Sequence, residues 1–307
     1  MTDKILDCLI VGGGPAGLTA AIYLGRFNRR CLLIDKDEGR LSMIPISHNH
    51  SGYPDGVPGR ELLAAMQEQA RAYAADLRQG DVTGLTRTEV GFAAETSLGR
   101  FTARTILLAT GVFNHRPGLP ADIHDDAVRR GLLRYCPICD AFEQSGKRIG
   151  VLGNDRHALA EAMFMLNFST DVVVFPQAAP EWSEAQQREV EAASIETLAV
   201  PVRAFDLSGD GVILTLEDGC RHQVDTLYVG LGSHTRNDLG KQLGTDLVDG
   251  QCFATDSQQR TTVAGVYAAG DAVEGLDQIS VAMGTGALAA VAIHNDLRKA
   301  DGLVLKA

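Results

Sequence analysis

Residues 5–35 read ILDCLIVGGGPAGLTAAIYLGRFNRRCLLID. A short apolar run leads into the glycine-rich run 12–17, a helical stretch follows through about Arg26, and a second apolar run ends at Asp35. The run 12–17 fits the pattern G-x-G-x-x-G, which joins a strand to a helix in dinucleotide-binding folds. The stretch therefore predicts a parallel strand–helix–strand unit near the N-terminus.

The residues of this turn are candidates for binding a cofactor. Gly12 permits the sharp turn, Gly14 lets the backbone approach a pyrophosphate, and Gly17 lets the helix pack on the strand. The N-terminus of the helix attracts phosphate. Asp35 lies where a carboxylate accepts a hydrogen bond from a ribose hydroxyl. The candidates are Gly12, Gly14, Pro15, Ala16, Gly17 and Asp35.

A second unit of the same kind begins near residue 148. The apolar run 148–153 precedes a helix predicted at about 155–168, and the apolar run 171–175 follows. Two such units predict an α/β protein with two dinucleotide-binding domains, Rossmann-like and of the three-layer ββα type. A further helix is predicted at about 60–77.

Domain boundaries follow from a second recurring pattern. Alternating segments at 80–108 and 211–232 are typical of antiparallel strands, and each ends in glycine and small residues, where the chain can cross between domains. We predict a discontinuous first domain, residues 1–115 plus 240–307, which binds a dinucleotide cofactor. The second domain, 116–239, is the second dinucleotide-type domain and carries a pair of cysteines.

Gly270 and Asp271 end the last predicted strand and are further cofactor-binding candidates. A carboxylate at a strand end can bind ribityl hydroxyls or order water at a phosphate. The helix that follows, near Gln278, is rich in small residues, and its N-terminus stabilises negative charge on a bound cofactor. An ordinary helix cap is the alternative interpretation of Asp271.

The segment Cys136-Pro-Ile-Cys139-Asp140 is the candidate catalytic site. Two residues between cysteines allow a disulfide across one helical turn, and a helix N-terminus lowers a thiol pKa. Asp140 is placed to carry a proton during thiol–disulfide exchange. Half of a zinc site is the alternative, but that site needs a second ligand pair, and Cys220 and Cys252 stand alone in the sequence. We therefore predict no metal site.

Composition limits the partners. The formal net charge of −11 argues against nucleic acid and against an anionic membrane surface. No apolar run reaches the roughly 18 residues of a membrane span. Six cysteines in 307 residues are too few for a secreted disulfide scaffold, so a cytoplasmic location is expected. Cys8 and Cys31 lie in apolar runs and are predicted to be buried and inert.

Together these motifs resemble those of low-molecular-weight thioredoxin reductases, over essentially the whole chain. The matching stretches are 11–21, 48–56, 109–111, 136–140 and 265–271. The resemblance implies a flavoprotein disulfide oxidoreductase, a homodimer, and a second domain that rotates to present the dithiol to flavin or to substrate. It implies FAD held by the residues above and by Asn49, the backbone near Val82, Gln278 and Ile279. It also implies that Cys139 faces the flavin, Cys136 attacks the substrate, and Asp140 acts as acid and base.

The sequence departs from that family where a pyridine nucleotide would bind. The family's turn Gly-Gly-Gly-Asp-Ser-Ala aligns with 153–158, which reads GNDRHA, and its His-Arg-Arg aligns after Phe175 with PQAAP. Asp277 replaces an arginine of the last flavin motif. We therefore predict an atypical branch that does not use NADPH, in which ferredoxin or a second flavin donates electrons, or a dithiol is oxidised by oxygen. The substrate is a thioredoxin-like protein or a small dithiol or disulfide.

Two alternatives remain at this point. One is a conventional NADPH-thioredoxin reductase with a divergent nucleotide site. The other is a flavin-binding redox sensor without turnover, against which the intact set Cys136, Cys139 and Asp140 argues.

Overall fold

The structure of the chain is a computed structural model that describes residues 5–305. Its helices are α1 (Pro15–Arg26), α2 (Gly59–Ala72), α3 (Ala121–Arg129), α4 (Pro137–Asp140), α5 (Arg156–Met165), α6 (Glu184–Ala192), α7 (Asp238–Leu243) and α8 (Ile279–Ala300). Its strands are β1 (Leu6–Val11), β2 (Cys31–Asp35), β3 (Asp76–Gln79), β4 (Val82–Thr88), β5 (Gly91–Thr96), β6 (Gly99–Leu108), β7 (Val112–Asn114), β8 (Leu133–Arg134), β9 (Ile149–Leu152), β10 (Val172–Phe175), β11 (Glu196–Thr197), β12 (Val202–Asp206), β13 (Val212–Leu216), β14 (Arg221–Val224), β15 (Thr226–Val229), β16 (Ser233–Thr235), β17 (Leu247–Val248), β18 (Cys252–Phe253) and β19 (Val266–Ala268). Short 3₁₀ helices lie at Arg40–Met43, Phe142–Gln144 and Gly270–Ala272.

The described residues form two compact units. The first comprises 5–42, 58–113 and 234–305, and the second comprises 43–57 and 114–233. No helix among the described residues is both long and apolar enough to cross a bilayer.

A seven-stranded sheet forms the core of the first unit. Its order is β3-β2-β1-β6-β5-β4, and β19 pairs with the C-terminal half of β6. The strands β3, β2, β1, β6 and β19 are parallel, whereas β4, β5 and β6 form the predicted antiparallel meander. Cys8 and Cys31 are buried on β1 and β2, as predicted. Burial raises the pKa of both thiols, that of Cys31 to about 11, so both are inert at neutral pH.

The predicted helix 60–77 is wrong at its C-terminal end. Helix α2 ends at Ala72, Ala74 adopts a φ of 61°, and the chain then enters β3 at Asp76. The run 60–72 is rich in strong helix formers, so the local sequence does not indicate where helix α2 ends. The end is instead decided by β2, whose open edge provides the parallel hydrogen bonds that β3 takes up.

The second unit has the predicted three layers. A five-stranded parallel sheet, β11-β10-β9-β15-β8, lies between helices and the antiparallel sheet β12-β13-β14. Alternation along β10 explains the layering: Val173 and Phe175 pack toward the antiparallel sheet, and Val172 and Val174 pack against α5 and α6. Tyr228 of β15 lies on the helical side.

The segment 43–57 groups with the second unit, although the sequence analysis places it in the first domain. The side-chain amide of Asn49 donates to the carbonyl oxygen of Ile138 at 3.4 Å. The Arg116 guanidinium approaches the sulfur of Met43 at 3.9 Å. These partners are distant in sequence, so no local pattern indicates the grouping.

Candidate functional site

The glycine-rich turn of the first unit is built so that two of its glycines cannot be replaced. Gly12 has a φ of 106°, and a Cβ there would lie 2.2 Å from the carbonyl oxygen of Ala109. A Cβ on Gly17 would lie 2.0 Å from the carbonyl oxygen of Gly12. Both contacts are with backbone, which cannot move aside. Strand β1, the turn and α1 are therefore held in close contact.

The N-terminus of α1 is open to a ligand. Gly14 is the N-cap residue in extended conformation, and a Cβ built on it meets no heavy atom within 4 Å. No side chain of the described residues caps this helix. Pro15 at the first helical position has no N–H group, so the unpaired N–H groups begin at Ala16. Such a helix end favours an anion.

Asp35 fixes the turn from β2 and borders a cavity. The backbone N–H of Gly13 donates to Asp35 Oδ1 at 2.9 Å. The cavity has a volume of about 360 Å³, and Leu33 and Leu77 contribute apolar surface to it. Arginines also line this cavity, namely Arg60, Arg71 and Arg78. A mixed polar and apolar pocket with a carboxylate and nearby cations fits a nucleoside and its phosphates, so the turn and cavity suit the adenosine end of FAD.

The C-terminal motif packs directly on α1. Gly270 has a φ of 75°, and a Cβ there would lie 2.8 Å from the Cβ of Ala16. A Cβ on Gly286 would lie 2.2 Å from the carbonyl oxygen of Ala16. The 3₁₀ helix Gly270–Ala272 and helix α8 are therefore in contact with the first turn of α1. This packing brings Asp271 close to the turn predicted to bind phosphate.

Arg40 joins Asp271 to Asp277. Its Nη1 lies 3.1 Å from Asp271 Oδ2 and 2.8 Å from Asp277 Oδ2. Burial and the charge of Asp277 raise the pKa of Asp271 to about 6, although Arg40 opposes the shift. The sequence analysis did not single out Arg40, because nothing near position 40 indicates a partner more than 230 residues away.

We expect Asp271→Asn to change how the stability of the flavin-free protein depends on pH. A carboxyl whose folded-state pKa is about 6 rather than about 4 contributes stability below pH 4 that is lost as pH rises through 6. The loss is at most about 3 kcal/mol. Urea unfolding from pH 4.5 to 8 should therefore show the variant gaining on the wild type as pH rises. The control Glu68→Gln, at an exposed position on α2, should follow the wild type. Parallel curves for Asp271→Asn and the wild type would contradict the assignment.

The other cofactor candidates lie in different places. Val82 is buried at the start of β4, Gln278 is the N-cap residue of α8, and Ile279 is its first residue, all in the first unit. Asn49 lies in the second unit and contacts the carbonyl between the two cysteines. The cofactor roles of these residues remain predictions.

Cys136 and Cys139 form a disulfide in the second unit. Cys136 is the N-cap residue of α4, Pro137 occupies the first helical position, and the N–H of Cys139 donates to the carbonyl of Cys136 at 3.0 Å. The segment therefore folds as one turn that brings the two cysteines together. No group of three or more potential metal ligands occurs within residues 5–305.

Asp140 ends α4 and is held by two residues that the sequence analysis missed. Arg134 Nη1 donates to Asp140 Oδ2 at 2.5 Å, and the Tyr228 hydroxyl donates to Oδ1 at 2.7 Å. Thr226 in turn accepts from Arg134 Nε at 3.2 Å. Burial raises the pKa of Asp140, and Arg134 and Tyr228 oppose that rise. In the sequence, only the closeness of Arg134 to the cysteine motif indicates a role at this site, and it does so weakly. Nothing in the sequence indicates a role for Tyr228.

In the second strand–turn–helix unit, the side chain of Asp155 caps the N-terminus of α5. Asp155 Oδ1 accepts hydrogen bonds from the N–H groups of His157 and Ala158, at 3.0 and 3.2 Å. His157 is paired with Glu161 at 3.3 Å, and this pairing raises its pKa. Phe175 is fully buried at the end of β10.

Comparison with known proteins places this geometry in a family. The sequence pattern of the family described as pyridine nucleotide-disulphide oxidoreductase matches residues 6–286. A thioredoxin reductase from Aquifex aeolicus is 30% identical, over 96% of this chain and 94% of that protein. The structure of thioredoxin reductase from Streptococcus pyogenes is similar with a TM-score of 0.87 and 25% identity, covering 97% of this chain and 100% of that one. The atypical thioredoxin reductase TRi from Desulfovibrio vulgaris Hildenborough is 31% identical with a TM-score of 0.54, covering 95% of this chain and 98% of that one.

The chain therefore belongs to the pyridine nucleotide-disulphide oxidoreductase family. It is a flavin-dependent disulfide oxidoreductase of the thioredoxin reductase type, with the two Rossmann-like units expected for that fold.

Proposed function

We propose that this enzyme passes electrons between FAD and a substrate disulfide through Cys136 and Cys139, and that NADPH is not its direct electron donor. The observation that carries the second part is the cap that Asp155 forms on α5. The names of the relatives support a thioredoxin-like protein as the substrate. A small dithiol or disulfide is the other substrate class that we propose, from the sequence resemblance.

The exchange step uses Cys136, the N-cap residue of α4, together with Cys139 and Asp140 of that helix. In the reduced enzyme the Cys136 thiolate attacks one sulfur of the substrate disulfide, forming a mixed disulfide and releasing one substrate thiolate. The Cys139 thiolate then displaces the second substrate sulfur and re-forms the Cys136–Cys139 bond. Two electrons have reached the substrate, and Asp140 is proposed to supply a proton to a leaving thiolate. When bound, FAD supplies the two-electron chemistry that reduces the enzyme disulfide again.

The cap on α5 disfavours a pyridine nucleotide for two reasons. First, the carboxylate of Asp155 occupies the N–H groups that a pyrophosphate would need at this helix end. Second, like charges about 4 Å apart near a protein surface repel by several kcal/mol before screening. Arg156 and His157, the two residues after Asp155, offset part of this repulsion, but His157 is already paired with Glu161. Residues 176–180, PQAAP, offer no cation for a 2′-phosphate.

We expect NADPH and NADH to reduce the flavin poorly or not at all. The test is an anaerobic titration of the oxidised protein with each nucleotide, followed at the flavin absorption band. Dithionite added to the same sample is the control, since it should bleach the band and prove that the flavin is competent. Rapid, stoichiometric bleaching by NADPH would instead establish a conventional NADPH-thioredoxin reductase.

The donor is then to be sought among the classes that the resemblance suggests. Reduction by ferredoxin, a second flavin in the second unit, and reversed flow from a dithiol to oxygen are the three proposals. Counting flavin per chain in the purified protein tests the second, because a ratio near two is expected only there. A homodimer is proposed on the resemblance alone, and a cytoplasmic location on the small number of cysteines. A steady-state assay that shows turnover with a dithiol or disulfide would exclude the alternative function, a flavin-binding redox sensor without turnover.

A further inference from the structure

Arg40 forms ion pairs with two carboxylates in the first unit. Its Nη1 contacts the carboxylates of Asp271 and Asp277 at 3.1 and 2.8 Å. Asp271 follows Gly270, which packs on Ala16 in the first turn of α1. Asp277 immediately precedes the N-cap residue of α8. The guanidinium is thus held by two carboxylates, one next to a residue that packs on the first turn of α1 and one next to the N-cap residue of α8.

The two carboxylates leave hydrogen-bond donors of the Arg40 guanidinium available to another acceptor. Helix N-termini attract anions and repel cations, so a cation is retained there only with the help of negative charge. The two carboxylates supply that charge, but within residues 5–305 both contact the same nitrogen of Arg40. A guanidinium carries five N–H donors in a planar fork, so most of the fork is available to a further acceptor. The side chain is 25% exposed, which leaves room for one.

The backbone fixes Arg40 in this position. Arg40 begins the 3₁₀ helix that follows β2, and the next residue, Leu41, is buried. The Ser42 hydroxyl donates to the carbonyl of Gly39 at 2.8 Å and closes the turn around Arg40. A cation held in place by a closed turn and by two carboxylates is suited to bind a phosphate group.

We propose that Arg40 is a cofactor-binding residue whose guanidinium contacts the diphosphate of FAD, and that Asp271 and Asp277 position it for this contact. The proposal rests on the proposed function, because it requires FAD at the turn 12–17. Without Arg40, the two carboxylates would add negative charge beside an anionic ligand and weaken its binding.

The test compares Arg40→Met and Arg40→Lys with the wild type in two measurements. The first is the dissociation constant of FAD from the flavin-free protein, followed by quenching of flavin fluorescence. The second is the ³¹P NMR spectrum of the bound cofactor. We expect Arg40→Met to raise the Kd about 10- to 100-fold, as for loss of a charged hydrogen bond, and to move the diphosphate resonances. Arg40→Lys should restore part of the affinity, because it keeps the charge without the fork. The control is Arg100→Met, an exposed position on β6, which should match the wild type in both measurements.

The phosphorus resonances decide the outcome. If they are unchanged in Arg40→Met, Arg40 does not contact the diphosphate, and the proposal is overturned even where the Kd has risen through Asp271 or Asp277. Binding weakened 10- to 100-fold can still be saturated at NMR concentrations. A wild-type protein that binds no FAD would refute the proposed function itself, which is a different result from a wild type that binds FAD with no contribution from Arg40.

Discussion

Replacing Cys136 by serine is expected to reduce disulfide turnover to background while FAD stays bound. A relay that forms and breaks one disulfide cannot run on a single thiol. The remaining thiol, Cys139, is predicted from the family resemblance to face the flavin, so its thiolate should produce a long-wavelength charge-transfer band. Replacing Cys139 should also stop turnover but should abolish that band. Steady-state assays and absorption spectra of the two variants measure both effects.

Cys220→Ser is the matched control for these variants. Cys220 is an exposed free cysteine in the same unit, so its loss should change neither turnover nor spectrum. The opposite spectral pattern, with the band in the Cys139 variant, would exchange the roles of the two sulfurs. Full turnover in either variant would contradict the disulfide relay.

Asp140→Asn is expected to lower turnover roughly 10²- to 10⁴-fold with the flavin retained, the range for loss of a general acid or base. The geometry supports this role because the carboxyl is only partly exposed and is held by Arg134 and Tyr228, which leave it little freedom to move. The control is Glu189→Gln, which removes an exposed charge on α6 in the same unit. A turnover near that of the wild type in Asp140→Asn would exclude Asp140 as the proton carrier.

The partners of Asp140 should also set the pH dependence of turnover. Arg134 and Tyr228 stabilise the charged carboxylate, so they hold its pKa below the value that burial alone would give. Arg134→Met and Tyr228→Phe each remove one such contact. In both variants the limb of the pH–rate profile that belongs to Asp140 should therefore move to higher pH. A limb that stays in place would show that Asp140 does not control it.

The sequence by itself determined the elements whose information is local. Close backbone contacts require glycine at Gly12 and Gly17. These glycines and the acid at the end of the next strand belong to one strand–helix–strand unit, so their spacing alone predicts them. The disulfide of Cys136 and Cys139 closes within one helical turn and is predicted for the same reason. The layers of both units follow from short apolar runs that alternate along the chain with helical segments.

Only the tertiary structure decided what depends on residues far apart in the chain. Helix α2 ends at Ala72 because the edge of β2 is open to β3, although the sequence through residue 77 permits more helix. The protonation of Asp140 depends on Tyr228, 88 residues away, and Arg40 acquires its two carboxylates across 231 and 237 residues. Composition and periodicity report which face of an element is buried, but they do not report which polar side chain meets which. That pairing is fixed by packing, and it controls the charge at both candidate sites.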